Sequence, residues 1–194
     1  MSDLATTDQT TTDQTTTDLA ARSPYGVLTD PATLTIQRLL PGPIERIWAY
    51  LTESDLRRQW LAAGQMELKL GAPVEFVWRN SELTDPPGER PPGFSEEHRM
   101  DSRITELDPP HRLAITWGST GGVSFELERK GSEVLLTLVH RRVPDRAMLL
   151  NVSAGWHAHL DILAARAAGQ VPGPEPFWNN WSRLKEEYAR RIPE

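Results

Sequence analysis

The clearest pattern in this chain is an apolar stripe close to the start of its better-patterned part. Between Pro43 and Leu61, residues Ile44, Ile47, Trp48 and Leu51 fall at i, i+3, i+4 and i+7, the period of one helical face. Pro43 suits the opening of that helix, and Thr52, Glu53 and Ser54 break it. Ser54 is then placed to cap a second short helix, in which Leu56 and Trp60 stand four residues apart. A strand from about Thr33 to Leu39 precedes the pair. The period then changes to two. In Pro73–Arg79, Val74, Phe76 and Trp78 alternate with Glu75, Val77 and Arg79, so one face is apolar. Met66–Leu70 reads as the partner arm of a hairpin that turns at Gly71-Ala72. Further strands are expected at Glu97–Leu107, Arg112–Trp117, Gly122–Glu128 and Glu133–Arg141. Asp108-Pro109-Pro110, Gly118–Gly121 and Lys130-Gly131-Ser132 supply the turns of an antiparallel meander. Asn80–Gly93 contains PPGERPPG and must be a loop. Ser23–Pro31 reads as a connecting loop.

Helical spacing returns at Asp145. Leu149, Val152, Trp156, Leu160, Leu163 and Ala167 share a face, and Gly169 is a natural stop. After Pro172, Pro174 and Pro176, a last helix over 177–192 aligns Phe177, Trp181, Leu184 and Tyr188. This order predicts an α+β architecture. A curved antiparallel sheet grips a long C-terminal helix, with two helices inserted after the first strand and an extra helix at the end.

Composition narrows the classes. The 194 residues suit one domain with tails, and seven tryptophans raise the apolar area available for burial. Cysteine is absent, which excludes disulfides, thiol catalysis and thiolate metal sites and fits a reducing cytoplasm. No apolar run reaches the ~20 residues of a membrane span, and the first residues lack the pattern of a signal peptide. Residues 1–22 repeat TTDQT from Thr6 and from Thr11, and are expected to be a disordered Thr/Asp-rich leader. They carry four acids and one base, −3 of the net −6. The remaining −3 leaves no electrostatic footprint for nucleic acid or an anionic membrane.

Four blocks resemble one known family. They are IWAYLTESDLRRQWL (Ile47–Leu61), SRITELDPPHRLAITWG (Ser102–Gly118), VSFELERKGSEVLLTLVH (Val123–His140) and GWHAHLDIL (Gly155–Leu163). In that order they resemble the START-related SRPBCC superfamily, in the branch named after the activator of a heat-shock-protein ATPase. The resemblance spans about Thr33–Ala168 and implies a helix-grip domain over 33–168; the helix read at 177–192 lies beyond that span and is expected to pack on the domain. It also implies a pocket between sheet and long helix. The superfamily includes lipid and hormone carriers, polyketide cyclases and aromatases, hydroxylase domains and co-chaperones, so the fold does not choose a function.

Candidate chemistry is sparse. His140 ends the Val134–Leu136–Leu138 face of its strand, where it could serve as a general base or anchor a ligand carbonyl. It could equally be a strand-end histidine satisfied by backbone. His157 and His159 lie two apart and cannot bind one metal as an i, i+4 pair. His98 and His111 flank a loop and a turn and are expected in solvent. Glu67 and Glu75, with Lys69 and Arg79 nearby, read as a solvated ion-paired face, and Glu126 and Glu128 should point outward. Ser153 and His157 are one helical turn apart but lack a third member of a triad.

The expected site is therefore a cavity, whose candidate lining is Trp48, Trp60, Phe76, Trp78, Met100, Trp117, Phe125, His140, Trp156 and Leu160. It would take a small hydrophobic molecule without covalent chemistry, cofactor or metal, in a cytoplasmic protein that neither binds nucleic acid nor inserts into membranes. Two alternatives stay open: a cyclase- or aromatase-like enzyme using His140, and a protein-interaction module of the co-chaperone kind.

Overall fold

Strand alternation gives each strand one inward face. In the computed structural model, which describes residues 23–193, those faces join in one antiparallel sheet. Its strands are β1 Val27–Asp30, β2 Thr33–Pro41, β3 Pro73–Trp78, β4 His98–Asp108, β5 Arg112–Trp117, β6 Gly121–Lys130 and β7 Glu133–Arg141. The Thr/Asp-rich leader expected over 1–22 lies outside the described residues. The spatial order β1-β2-β7-β6-β5-β4-β3 makes β3 to β7 a meander, closed by β2 pairing with β7. Register aligns Leu34, His140, Val123 and Ile115 across four strands, and Ile36, Leu138, Phe125 and Leu113 in the next row. Both rows are buried, with His140 as the polar member.

The helices are α1 Ile44–Thr52, α2 Ser54–Arg57, α3 Arg146–Ala167 and α4 Phe177–Arg191. The Asp145 carboxylate caps α3 by accepting from the Met148 N–H at 2.7 Å. Gly169, at φ +70°, supplies the left-handed residue beyond its end. Residues around most of the α3 circumference are buried, because β2 packs on one side and α4 on another. The Arg146 guanidinium then donates to the carbonyls of Ala189, Ile192 and Pro193, which ties the C-terminal end of α4 to the start of α3.

Three local expectations are corrected. The loop expected over Ser23–Pro31 contains β1, an edge strand paired along one side only, with β2. The hairpin arm expected at Met66–Leu70 is not a strand. Isolated bridges, Ala63 to Val77 and Met66 to Val74, hold this stretch beside β3, and Leu68 and Leu70 are exposed. Gly64 explains part of this irregularity: at φ +116° it lies so close to β3 that a Cβ there would meet the Glu75 carbonyl oxygen at 2.1 Å. Ser54 does not cap α2; its hydroxyl accepts from the Gly64 N–H at 3.1 Å.

Candidate functional site

The proline-rich stretch Asn80–Gly93 is a loop with one 3₁₀ turn, Asn80–Glu82. It docks on the first turn of α4. The Phe177 N–H donates to Thr84 Oγ1 at 2.9 Å, the Trp178 N–H to the Pro87 carbonyl at 3.1 Å, and the Trp178 indole N–H to Ser81 Oγ at 3.0 Å. The two backbone bonds satisfy N–H groups that a helix start leaves without partners. They also carry Phe94 onto α4, with ring centroids 5.2 Å from Trp178 and 4.9 Å from Trp181. Beneath Phe94 lies a cavity of about 380 Å³.

The sheet and α3 contribute Trp78, Met100, Trp117 and Trp156 to its wall. Trp117 is the hinge of this group, 5.7 Å from Trp78 in an edge-on arrangement and 5.1 Å from Trp156. Such tilted and edge-on pairs are the favourable aromatic geometries. Opposite them stand Phe177, Trp178 and Trp181 of α4. Of the ten residues named from sequence for the lining, those four reach the cavity. Trp48, Trp60, Phe76, Phe125 and Leu160 sit in the surrounding core. Trp60 is fully buried, donates its indole N–H to the Tyr50 carbonyl at 2.9 Å, and accepts on its own carbonyl from His159 Nδ1 at 2.6 Å.

His140 points inward but stands behind the wall. Its Nδ1 accepts the indole N–H of Trp156 at 3.1 Å, and its ring packs edge-on against Trp117 at 5.3 Å. Burial pushes its pKa down to about 4, so it is neutral at pH 7. His157 and His159 are likewise pushed down to about 4 by burial. His159 is on the cavity wall. His157 faces away, toward the Tyr188 hydroxyl at 3.1 Å and Asp161 at 3.5 Å, while the buried Ser153 hydroxyl has no partner. Ser153 and His157 therefore form no nucleophile–base pair. His98 is exposed at the cavity rim, its ring 5.5 Å from Trp78. Among the described residues no group of three or more His, Cys, Asp or Glu side chains could hold a metal ion.

Elsewhere, Glu75 pairs with Arg99 at 2.8 Å and Arg79 with Glu97 at 2.7 Å on an exposed face. A polar groove of about 590 Å³ runs along the β3 edge past Gln65, Glu67, Asp101 and Arg103. It has no aromatic wall. Among the described residues no helix is long and apolar enough to cross a membrane.

Sequence reasoning missed Phe94, Phe177, Trp178 and Trp181 as wall residues, together with His159, Asn80, Asn151 and Gly155. The four aromatic residues come to the wall through packing between the loop and α4, which no local period reports. Gly155 was legible. A glycine midway along a 22-residue helix costs stability and calls for a reason. Here its missing side chain leaves space open, since an added Cβ would touch nothing closer than Trp181 Nε1 at 3.8 Å.

A seven-stranded antiparallel sheet gripping a long helix, with an aromatic cavity beside that helix, defines an α+β helix-grip protein. The chain belongs to the family described as Activator of Hsp90 ATPase homolog 1-like protein, whose model matches residues 41–168. It is similar to a Bordetella parapertussis protein solved by solution NMR: 37% identity, TM-score 0.71, covering 88% of this chain and 91% of that one. The fold is also similar to CalU16 from Micromonospora echinospora, at 22% identity and TM-score 0.62, over 84% of this chain and 89% of that one. An Enterococcus faecalis protein, titled a conserved protein of unknown function, matches at 19% identity and TM-score 0.62, over 87% and 91% of the two chains. No curated protein matches the sequence.

Proposed function

We propose that this is a cytoplasmic protein that binds a small, largely apolar molecule in the cavity beneath Phe94, without covalent chemistry. The observation that carries the reading is the wall itself: seven aromatic rings, from Trp78, Phe94, Trp117, Trp156, Phe177, Trp178 and Trp181, around about 380 Å³. That is the size and lining of a small-molecule site. Gly155 supports the same reading, because a helix-destabilising residue stands where any side chain would intrude on the space. The enzyme reading asked His140 to act as a base. Its ring is separated from the cavity by Trp117 and Trp156, which favours binding over catalysis. A protein-partner role has only the family's name behind it.

The test is a titration with the uncharged fluorophore N-phenyl-1-naphthylamine. Wild-type protein should bind one molecule with enhanced emission. Gly155→Phe, which fills the cavity, should abolish that signal while keeping the melting transition. Equal binding by both proteins would refute the assignment.

A further inference from the structure

The wall of the cavity carries donors that the protein itself leaves unused. Five tryptophans line it, Trp78, Trp117, Trp156, Trp178 and Trp181, and an indole N–H donates but never accepts. Two of the five are committed inside the protein, Trp156 to His140 and Trp178 to Ser81. Among the described residues, the N–H groups of Trp78, Trp117 and Trp181 donate to no protein acceptor. Unlike the side-chain oxygens of Asn80 and Asn151, they are not sealed off from open space.

Trp181 is the donor whose surroundings are specified. Its ring is held edge-on by Phe94, with centroids 4.9 Å apart. Its Nε1 lies 3.8 Å from the point where a Cβ of Gly155 would stand, and apart from the glycine's own neighbours along α3 nothing else comes within 4 Å of that point. The glycine thus clears a space bordered by the indole nitrogen, at a cost to helix stability. The Lys185 ammonium lies over the Trp181 ring, 5.1 Å from its centroid, outside the cavity wall. A cation on the ring face draws electron density from the indole and makes its N–H a stronger donor. A guest that fills this space with hydrocarbon displaces water from the N–H and returns no hydrogen bond, whereas a guest oxygen restores it. That oxygen belongs to a neutral group. No lysine or arginine lines the cavity and Glu96 is at its edge, so a carboxylate would be desolvated without a counter-charge on the wall.

We infer that Trp181 and Gly155 form an oxygen subsite, in which the Trp181 indole N–H holds a neutral carbonyl or ether oxygen of an otherwise apolar guest. This rests on the ligand-binding reading above and adds to it the position of one polar atom. The subsite involves α4, which lies beyond the residues 41–168 matched by the family model, so the donor is an addition to the matched frame. It does not exclude a hydroxyl elsewhere on the guest. His159 Nδ1 donates to the Trp60 carbonyl at 2.6 Å, which leaves Nε2 of the neutral ring as an acceptor on a wall residue. Stacking on the remaining aromatic rings supplies affinity without orientation, and the single N–H fixes which way round the guest lies.

Two probes of one shape isolate that bond: 2-acetylnaphthalene, and 2-isopropenylnaphthalene, which has a methylene group in place of the carbonyl oxygen. Both are titrated calorimetrically into wild type and into Trp181→Phe, which keeps a ring but removes the N–H. The variant should lose roughly five- to tenfold in affinity for the ketone and keep its affinity for the alkene, which also shows that its cavity is intact. Equal losses for both probes, or none for either, would overturn the subsite and leave the apolar cavity standing. A ketone-specific loss in Trp78→Phe or Trp117→Phe but not in Trp181→Phe would overturn it as well. The infrared carbonyl stretch of the ketone bound to wild type gives a check that needs no variant. It should lie at the hydrogen-bonded position found in alcohol, and a position as in hexane would refute the inference. If neither probe binds wild type, the ligand-binding reading fails together with it.

Discussion

The indole N–H of Trp156 donates to Nδ1 of His140 across the interface between α3 and β7, at 3.1 Å. That bond requires Nδ1 to be unprotonated, so the neutral tautomer carries its proton on Nε2. It makes His140 a fixed support for a cavity tryptophan, and it links packing to pH. Protonation would have to break the bond or charge a ring only 2% exposed.

A pH dependence follows with a definite sign. His140, His157 and His159 all have folded pKa values depressed to about 4 by burial, against about 6.5 when unfolded. Between those limits the unfolded chain binds more protons, so stability is full above about pH 6.5 and falls as pH drops toward 4. Each histidine contributes at most about 1.4 kcal/mol per pH unit in that window. Urea melts at pH 7, 6 and 5 should show the decline. His140→Gln keeps an acceptor for Trp156 without titrating, and its melts should show a shallower slope. An unchanged slope would show that His140 does not contribute.

Trp60 joins three elements. Its buried ring lies among the core side chains, its indole N–H bonds α1 at Tyr50, and its carbonyl receives His159 of α3. Trp60→Ala should therefore destabilise by about 3–5 kcal/mol, as for other buried aromatic truncations. Chemical denaturation would measure it, and a loss below about 1 kcal/mol would contradict the docking role.

Arg57 is buried without a carboxylate. Its guanidinium donates to the carbonyls of Thr52, Ala62 and Gly64 at 3.0, 3.2 and 2.5 Å and lies 5.4 Å from the Phe76 ring centroid. Burial lowers its pKa to about 10, so it stays charged at pH 7. The planar fork reaches three carbonyls that a lysine ammonium cannot reach together. Arg57→Lys should therefore cost about 2–4 kcal/mol, through stranded carbonyls and a desolvated charge. A stability within about 0.5 kcal/mol of wild type would show that the fork is dispensable.

Gly155→Ala tests the trade between helix stability and cavity space. The added methyl meets only Trp181 Nε1, at 3.8 Å, so the helix should gain about 0.5–1 kcal/mol. Thermal melts should move upward while binding of N-phenyl-1-naphthylamine weakens. Stabilisation with unchanged binding would place the ligand away from α3.

Elements with a strong internal period could be read before any contact was known. The stripe Ile44, Ile47, Trp48, Leu51 became α1, the alternation in Val134, Leu136, Leu138 and His140 became the inner face of β7, and Leu149 to Ala167 became α3. Each pattern records which side of an element avoids water, and local geometry converts that into a helix or strand. The same information placed His140 inside, because a face is a local property. Which cavity it would touch was not local. Only the tertiary structure put Trp117 and Trp156 between His140 and the open space, and brought Phe94 from a proline-rich loop onto Trp178 and Trp181 of α4. β1 needed β2 beside it to become a strand, and Met66–Leu70 lost its ladder where Gly64 presses against β3. Burial periodicity is written residue by residue along the chain, whereas a cavity wall is an agreement among elements far apart in sequence, fixed only when they pack.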